Sequence, residues 1–230
     1  MADRPILFSA PMVRALLAGT KTQTRRVAGV PTIEPIVEAG RWHIFDKHRG
    51  DYGVPTEHLS SRAAEYLLIQ PGDRLWVKEN FAIVPRSAYA RSEGVQQTLR
   101  PDDDHDAAVY AADWERSKPS RWRPSIHMFR WASRLTLHVT EVRVQRLQDI
   151  SAGDALAEGV QSTDHWQPQS LDGRPFEEKW WDDFTFWAEY PPLVYRALWD
   201  AINGPGSWDA NPWVAAYTFT VEKSNIDGAA

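Results

Sequence analysis

Cysteine is absent from the 230 residues. That removes disulfides, thiolate nucleophiles and cysteine-ligated zinc together, so any nucleophile must be an oxygen, a nitrogen or an activated water. No apolar run approaches the roughly 20 residues that a membrane-spanning helix requires. Met1 to Pro11 lack the basic-then-apolar layout of a secretory signal, and the expectation is a cytoplasmic chain that does not enter a membrane. A basic excess is also missing. The 26 Lys and Arg are outnumbered by 31 Asp and Glu, for a net charge of -5. Phosphate contacts dominate nucleic-acid affinity, so this balance favours a small ligand over a long polyanion, with nucleic acid an unfavoured partner. There is no internal repeat, and neither a Rossmann alternation nor a helical bundle can be traced.

What is abundant is tryptophan, with 12 residues, most of them between Trp114 and Trp213. Indoles stack on nucleobases, but they also fill cores and pin insertions. Residues 5–9 read as a short entry strand. Ser9 is placed to cap a helix with Pro11 in its first turn, Met12, Val13, Leu16 and Leu17 on its apolar face, and Gly19 as its stop. Residues 28–70 show no sustained period. Residues 71–79 (PGDRLWVKE) read as a turn and a strand, and 84–124 as a polar insertion. The clearest alternation runs from Leu135 through Leu137 and Val139. It resumes one residue out of phase at Val142 and Val144, the mark of a bend or bulge. Ser151 and Asp154 open a short helix that Gly159 closes. Residues 161–187 are a second insertion, dense in Trp and acids. A helix over 191–203, with Leu193, Val194, Leu198, Trp199 and Ile202 inward, precedes a closing strand over 214–223. The order is that of an α+β chain.

The segment after Gly19, TKTQTRR, brings hydroxyls, an ammonium and guanidiniums together. Lys21 and Thr24 are three apart, so helical curvature would point both the same way. A Thr hydroxyl needs a base to become a nucleophile, and a Lys amine serves as that base once burial and cationic neighbours lower its pKa. The same run is also what a helix C-terminus favours electrostatically, as a solvated basic patch. Glu158, in the last turn of its helix, faces the negative end of the dipole, a small penalty that asks for a function. Glu79 ends a strand, where it would hold substrate or orient Lys21, or simply face water. Arg26 would pair with a carboxylate or contact a base. Arg130 and Trp131 would make a stacking wall or merely pack. The acidic run at 102–106 reads as a solvated loop rather than a metal site.

Taken together, LLAGTKTQTRR, GDRLWV, LQDISAGDALAEG, RPSIHMFRWASR and INGPGSWDANPWV resemble the ASCH domain of the PUA-like superfamily, in a long phage- or prophage-type form. The resemblance covers roughly 5–27, 71–80, 125–160 and 193–222. It implies one domain, a small mixed β-barrel with flanking helices, interrupted by insertions at about 28–70, 84–124 and 161–187. A small bacterial branch of that family hydrolyses N4-acetylcytidine with a Lys, a Thr three residues on and a distant Glu. Those positions fall on Lys21, Thr24 and Glu158. By resemblance Thr24 is the nucleophile, Lys21 the proton acceptor and Glu158 the proton donor, without metal or cofactor, on a nucleoside or nucleobase substrate. Activation of water by Lys21 and Glu158 is the open variant of this chemistry. An RNA-binding module without amidase activity is the alternative function.

Overall fold

The computed structural model describes residues 1–27, 29–36, 40–46, 48–115, 119, 121–160 and 184–228. In chain order the elements are β1 (Asp3–Leu7), α1 (Ala10–Ala18), β2 (Gln23–Arg26), β3 (Thr32–Pro35), β4 (Arg41–Phe45), β5 (Gly50–Pro55), α2 (Thr56–Ala64), β6 (Arg74–Lys78), β7 (Phe81–Pro85), β8 (Thr98–Leu99), β9 (Asp106–Tyr110), β10 (Thr136–Arg146), α3 (Ala152–Ala157), α4 (Phe184–Asn203) and β11 (Trp213–Glu222). The α+β class holds, with sheet predominating. Among the described residues the sheets are open and no barrel closes. No described helix is long and apolar enough to cross a membrane.

The described chain divides into two compact units. The first comprises 1–19, 71–140 and 219–230, and the second 20–70 and 141–218. In the first unit β1 runs parallel to β6, and β6 pairs antiparallel with the start of β10, Leu137 lying opposite Leu75. Both leucines are fully buried, as are Val13 and Leu16 of α1. That helix carries Pro11 in its first turn and ends at Gly19, whose φ of +77° is the left-handed geometry that favours glycine. The Ser9 hydroxyl makes no cap bond, so the backbone rather than the side chain starts this helix. A second sheet, β7-β9-β8, packs Phe81, Ala108 and Tyr110 against Met128 and Ala132.

The second unit contains the meander β3-β4-β5 with α2 behind it. Ile33, Ile44, Val54, Leu59 and Ala63 form its core together with Val144, Ala215 and Tyr217. The unit also holds the β11–β2 pair, in which Tyr217 lies opposite Thr24. A further cluster joins α3 to α4 through Leu147, Ile150, Ala155, Val194, Tyr195 and Trp199.

Two readings change. The stretch 28–70, which shows no sustained period, holds three strands and a helix among its described residues, and Tyr52, Gly53 and Pro55 lie inside β5. The strands are only 4 to 6 residues long and β4 carries a register shift between Trp42 and Ile44, so alternation never lasts long enough to be seen. The final helix begins at Phe184, with Pro191 and Pro192 inside it, and its inward face is rotated. Leu193 and Ile202 are exposed, while Val194, Tyr195 and Trp199 are buried. The phase change in β10 is present: Leu137 and Val139 are buried, Thr140 and Glu141 exposed, and Val144 buried. It coincides with the passage of the strand from one unit to the other. The insertion at 161–187 lies outside the described residues up to 183.

Ile44 is fully enclosed in the core of the second unit. Ile44→Ala is expected to lower unfolding stability by about 2 to 5 kcal/mol, read as a lower urea midpoint.

Candidate active site

Lys21 lies two residues past Gly19, where the chain leaves α1 and has not yet entered β2. The end of α3 docks against it through the backbone: Thr22 N donates to Ala157 O at 2.8 Å, and Lys21 and Glu158 form an isolated antiparallel bridge. The helix itself starts at Ser151, whose hydroxyl accepts from Asp154 N, and Glu158 occupies its C-cap. These local contacts, rather than sequence proximity, bring residues 137 positions apart together.

The side chains then converge. Lys21 Nζ donates to Glu158 Oε2 at 2.7 Å, to Glu158 O at 2.9 Å and to Gln23 O at 2.8 Å. Three acceptors match the three N–H bonds of an ammonium. Lys21 is 0 % exposed and Glu158 4 %. Burial pushes the Lys21 amine below its ordinary value, the neighbouring Arg26 and Arg25 push the same way, and Glu158 opposes them. The cation also lies at the carbonyl end of α3, where it offsets the penalty of a carboxylate at that terminus.

Glu158 is shared. Its Oε1 accepts from Arg25 Nη1 at 3.1 Å, and the same Nη1 donates to Gln23 Oε1 at 2.6 Å. Arg25 Nη2 lies 3.1 Å from Asp154 Oδ2, and Asp154 also receives Arg143 and Gln23. The Tyr195 phenol, brought in by α4, bears on the Glu158 carboxylate electrostatically. Burial foremost, and that carboxylate next, hold the phenol far above its usual pKa. Arg26 Nη1 donates to Arg25 O at 3.3 Å. Burial lowers the Arg26 pKa, against Glu158, Tyr195 and Tyr217. Tyr217, from β11, is itself pushed up to about 12 by burial.

Thr24 carries the one buried hydroxyl among the described residues that lacks a hydrogen-bond partner, while Arg25 Nε and Arg143 Nε are nitrogens of the same network without one. Thr24 is fully buried. An unpartnered buried group calls for an explanation, and another molecule or a catalytic step is one way to supply the partner. The expected helical curvature from Lys21 to Thr24 is replaced by a strand. Alternation in β2 puts Gln23 and Arg25 on one face and Thr24 with Arg26 on the other. The Lys21 amine is therefore not bonded to the Thr24 hydroxyl.

Of the seven candidate residues, Lys21, Thr24, Arg26 and Glu158 belong to the second unit, and Glu79, Arg130 and Trp131 to the first. Glu79 gives both oxygens to Arg134 at 2.8 and 2.9 Å. Arg134 uses all five N–H bonds, the others going to Gln96 and to both oxygens of Asp113, and it lies 4.0 Å over the Tyr110 ring. Burial raises the Glu79 pKa against the pull of Arg134. Arg130 is held by Asp227 and Asp3, each at 2.6 Å from Nη2. Trp131 stacks on Phe129 at 6.3 Å and packs against the Phe81–Tyr110 cluster. Each of these three has structural partners within its own unit. Among the described residues no group of three or more His, Asp or Glu side chains is placed to hold a metal ion.

Sequence reasoning missed Gln23, Arg25, Asp154 and Tyr195 as members of the site. Two signals were legible. Lys21, Gln23 and Arg25 recur at period two, as on one face of a strand. Asp154 and Glu158 are four apart, a like-charge pair that a helix tolerates best where cations meet it. Tyr195 carried no such signal.

The pair sets a stability test. Glu158→Leu leaves a buried ammonium without its counter-charge and is expected to cost about 3 to 5 kcal/mol. Lys21→Met combined with Glu158→Leu is expected to cost less than Glu158→Leu alone, as measured by urea denaturation. Compared with models of protein families, with curated proteins and with solved structures, the chain finds no match.

Proposed function

We propose that the chain is an amidohydrolase that removes the acyl group from N4-acylated cytosine or cytidine, with Thr24 as nucleophile, Lys21 as its base and Glu158 as acid. On this reading the fold is of the PUA-like ASCH type and the enzyme is cytoplasmic. One observation carries the proposal: a buried Lys–Glu pair at 2.7 Å at the entry to β2, the strand whose Thr24 has a buried hydroxyl with no hydrogen-bond partner.

The chemistry follows from where protons can go. The resting pair holds the proton on Lys21. Burial penalises two charges more than two neutral groups, so transfer of the proton to Glu158 Oε2 over 2.7 Å is the accessible step. It leaves an amine with a lone pair and a carboxylic acid. The amine then gives up an acceptor for Thr24 Oγ1 and takes its proton, and the alkoxide attacks the acyl carbon. A tetrahedral oxyanion forms, which Arg26 is suited to stabilise. Its collapse breaks the carbon–nitrogen bond, and Glu158 protonates the departing exocyclic nitrogen. Lys21 is again an ammonium, Glu158 again a carboxylate, and the acyl group is an ester on Thr24.

Water completes the cycle. Glu158 takes its proton as the hydroxide adds to the ester. Thr24 leaves as an alkoxide and recovers a proton from Lys21, the carboxylic acid departs, and the proton on Glu158 returns to Lys21. Every proton is accounted for within the pair.

The purified protein is expected to deacylate N4-acetylcytidine, followed by the change in ultraviolet absorbance of the base. Thr24→Val keeps the shape of the side chain and removes only the hydroxyl, so it is expected to lower kcat by at least about a thousandfold, of the order seen when a catalytic nucleophile is lost. Wild-type activity with an unimpaired Thr24→Val variant excludes the acyl-threonine route. No deacylation by the wild type on acetyl or benzoyl substrates overturns the proposal.

A further inference from the structure

Two guanidiniums follow Thr24, and they do different things. Arg26 lies on the face of β2 that carries Thr24, whereas Arg25 is turned to the other face and is 2 % exposed. Its Nη1 holds Glu158 Oε1 while Lys21 holds Oε2, so the carboxylate is gripped at both oxygens. Gln23 Oε1 accepts from the same Nη1 at 2.6 Å, Asp154 Oδ2 lies 3.1 Å from Nη2, and the Tyr195 ring lies 5.9 Å from the guanidinium carbon. Arg25 is thus fixed in turn by β2, α3 and α4. A carboxylate held at one oxygen by an arginine has the other oriented for its remaining partner.

We propose that Arg25 is the positioning residue of this site: by bonding Glu158 Oε1 it aims Oε2 at Lys21. This rests on the amidohydrolase reading. Arg25 touches neither Thr24 Oγ1 nor the acyl group in that mechanism, and it acts only through Glu158. The groups facing Glu158 are Lys21, Arg25 and Arg26 from the β2 segment and Tyr195 from α4. Asp154 on its own helix bears on it through Arg25, Arg143 of β10 through Asp154, and Tyr217 of β11 through Arg26. Arg25 bonds the carboxylate and Tyr195 bears on it electrostatically, and neither takes part in the proton cycle.

The physical consequence is a displaced titration. A carboxylate stripped of a cationic or phenolic donor takes up its proton at higher pH. Arg25→Met is therefore expected to move the acid limb of the kcat/KM profile upward by about one pH unit. It lowers kcat by about 10- to 100-fold with KM little changed, and Arg25→Lys recovers part of both effects. A residue needed only for packing lowers activity without moving the limb.

Arg25→Met removes a buried charge and endangers folding, so Tyr195→Phe serves as the second variant, since it deletes one hydroxyl and leaves the ring. It is expected to move the limb in the same direction by less. A readout free of turnover accompanies both: carboxyl 13C NMR of glutamate-labelled protein, with the Glu158 resonance assigned by its loss in Glu158→Gln. Its titration midpoint is expected to rise in each variant. Unchanged midpoints in the folded variants overturn the role of Arg25. Absence of deacylation by the wild type overturns the amidohydrolase reading instead, and the NMR midpoints still decide whether Arg25 governs the carboxylate.

Discussion

A buried ammonium and a buried carboxylate 2.7 Å apart are the constraint around which the second unit is organised. Neither charge is tolerable alone in that interior, because the loss of hydration outweighs what packing returns. Each is therefore met repeatedly. Lys21 has two backbone carbonyls besides the Glu158 carboxylate, and Glu158 has Arg25 besides Lys21. The neighbours are charged as well, and the alternation continues outward through Asp154 to Arg143, where solvent begins to share the load. Burying charges in series makes each one depend on the next. It also fixes the end of α3 on the segment before β2 in a single register.

The same arrangement explains why one hydroxyl stands out. Arg25 Nε and Arg143 Nε also lack hydrogen-bond partners in this network, but Thr24 Oγ1 is its one unpartnered buried hydroxyl. The strand geometry accounts for it. Gln23 and Arg25 turn toward α3 and are absorbed by its carboxylates, while Thr24 turns the other way, opposite Tyr217. Thr24 shares the burial of the pair without sharing its bonds.

The first unit uses the same chemistry for another end. Arg134 is enclosed by Glu79, Asp113 and Gln96, with Tyr110 beneath it, and spends all five of its N–H bonds. The Tyr110 hydroxyl in turn meets Thr98 and donates to Ala132 O. Nothing in that cluster is left over for a substrate, and its bonds tie the short strands β8 and β9 to the chain before β10. Saturation distinguishes a fastener from a site: the two clusters contain similar residues, but only the one in the second unit leaves a polar group unanswered.

Much of this was legible in the residues. The end of α1 at Gly19, the strands around Trp76, Leu137 and Phe219 and the start of α3 at Ser151 follow from local rules of period, capping and left-handed turns, which act over a few residues. The α+β class follows from their order. The meander over 32–55 was not legible, because strands of four to six residues with a glycine and a register shift inside them hold no period long enough to detect. Nor was the inward face of α4, where packing in one cluster with Leu147, Trp199 and Trp208 takes Tyr195 in while Leu193 is left exposed. Lys21, Thr24 and Glu158 were singled out by residue type and pattern, but their relation was not: spacing on one strand says nothing of a helix 130 residues away. Only the tertiary structure decided that Glu158 meets Lys21, that Arg25 comes with it, and that Thr24 stands apart. Charge pairing inside a protein is set by which elements dock, and docking is a property of the whole chain.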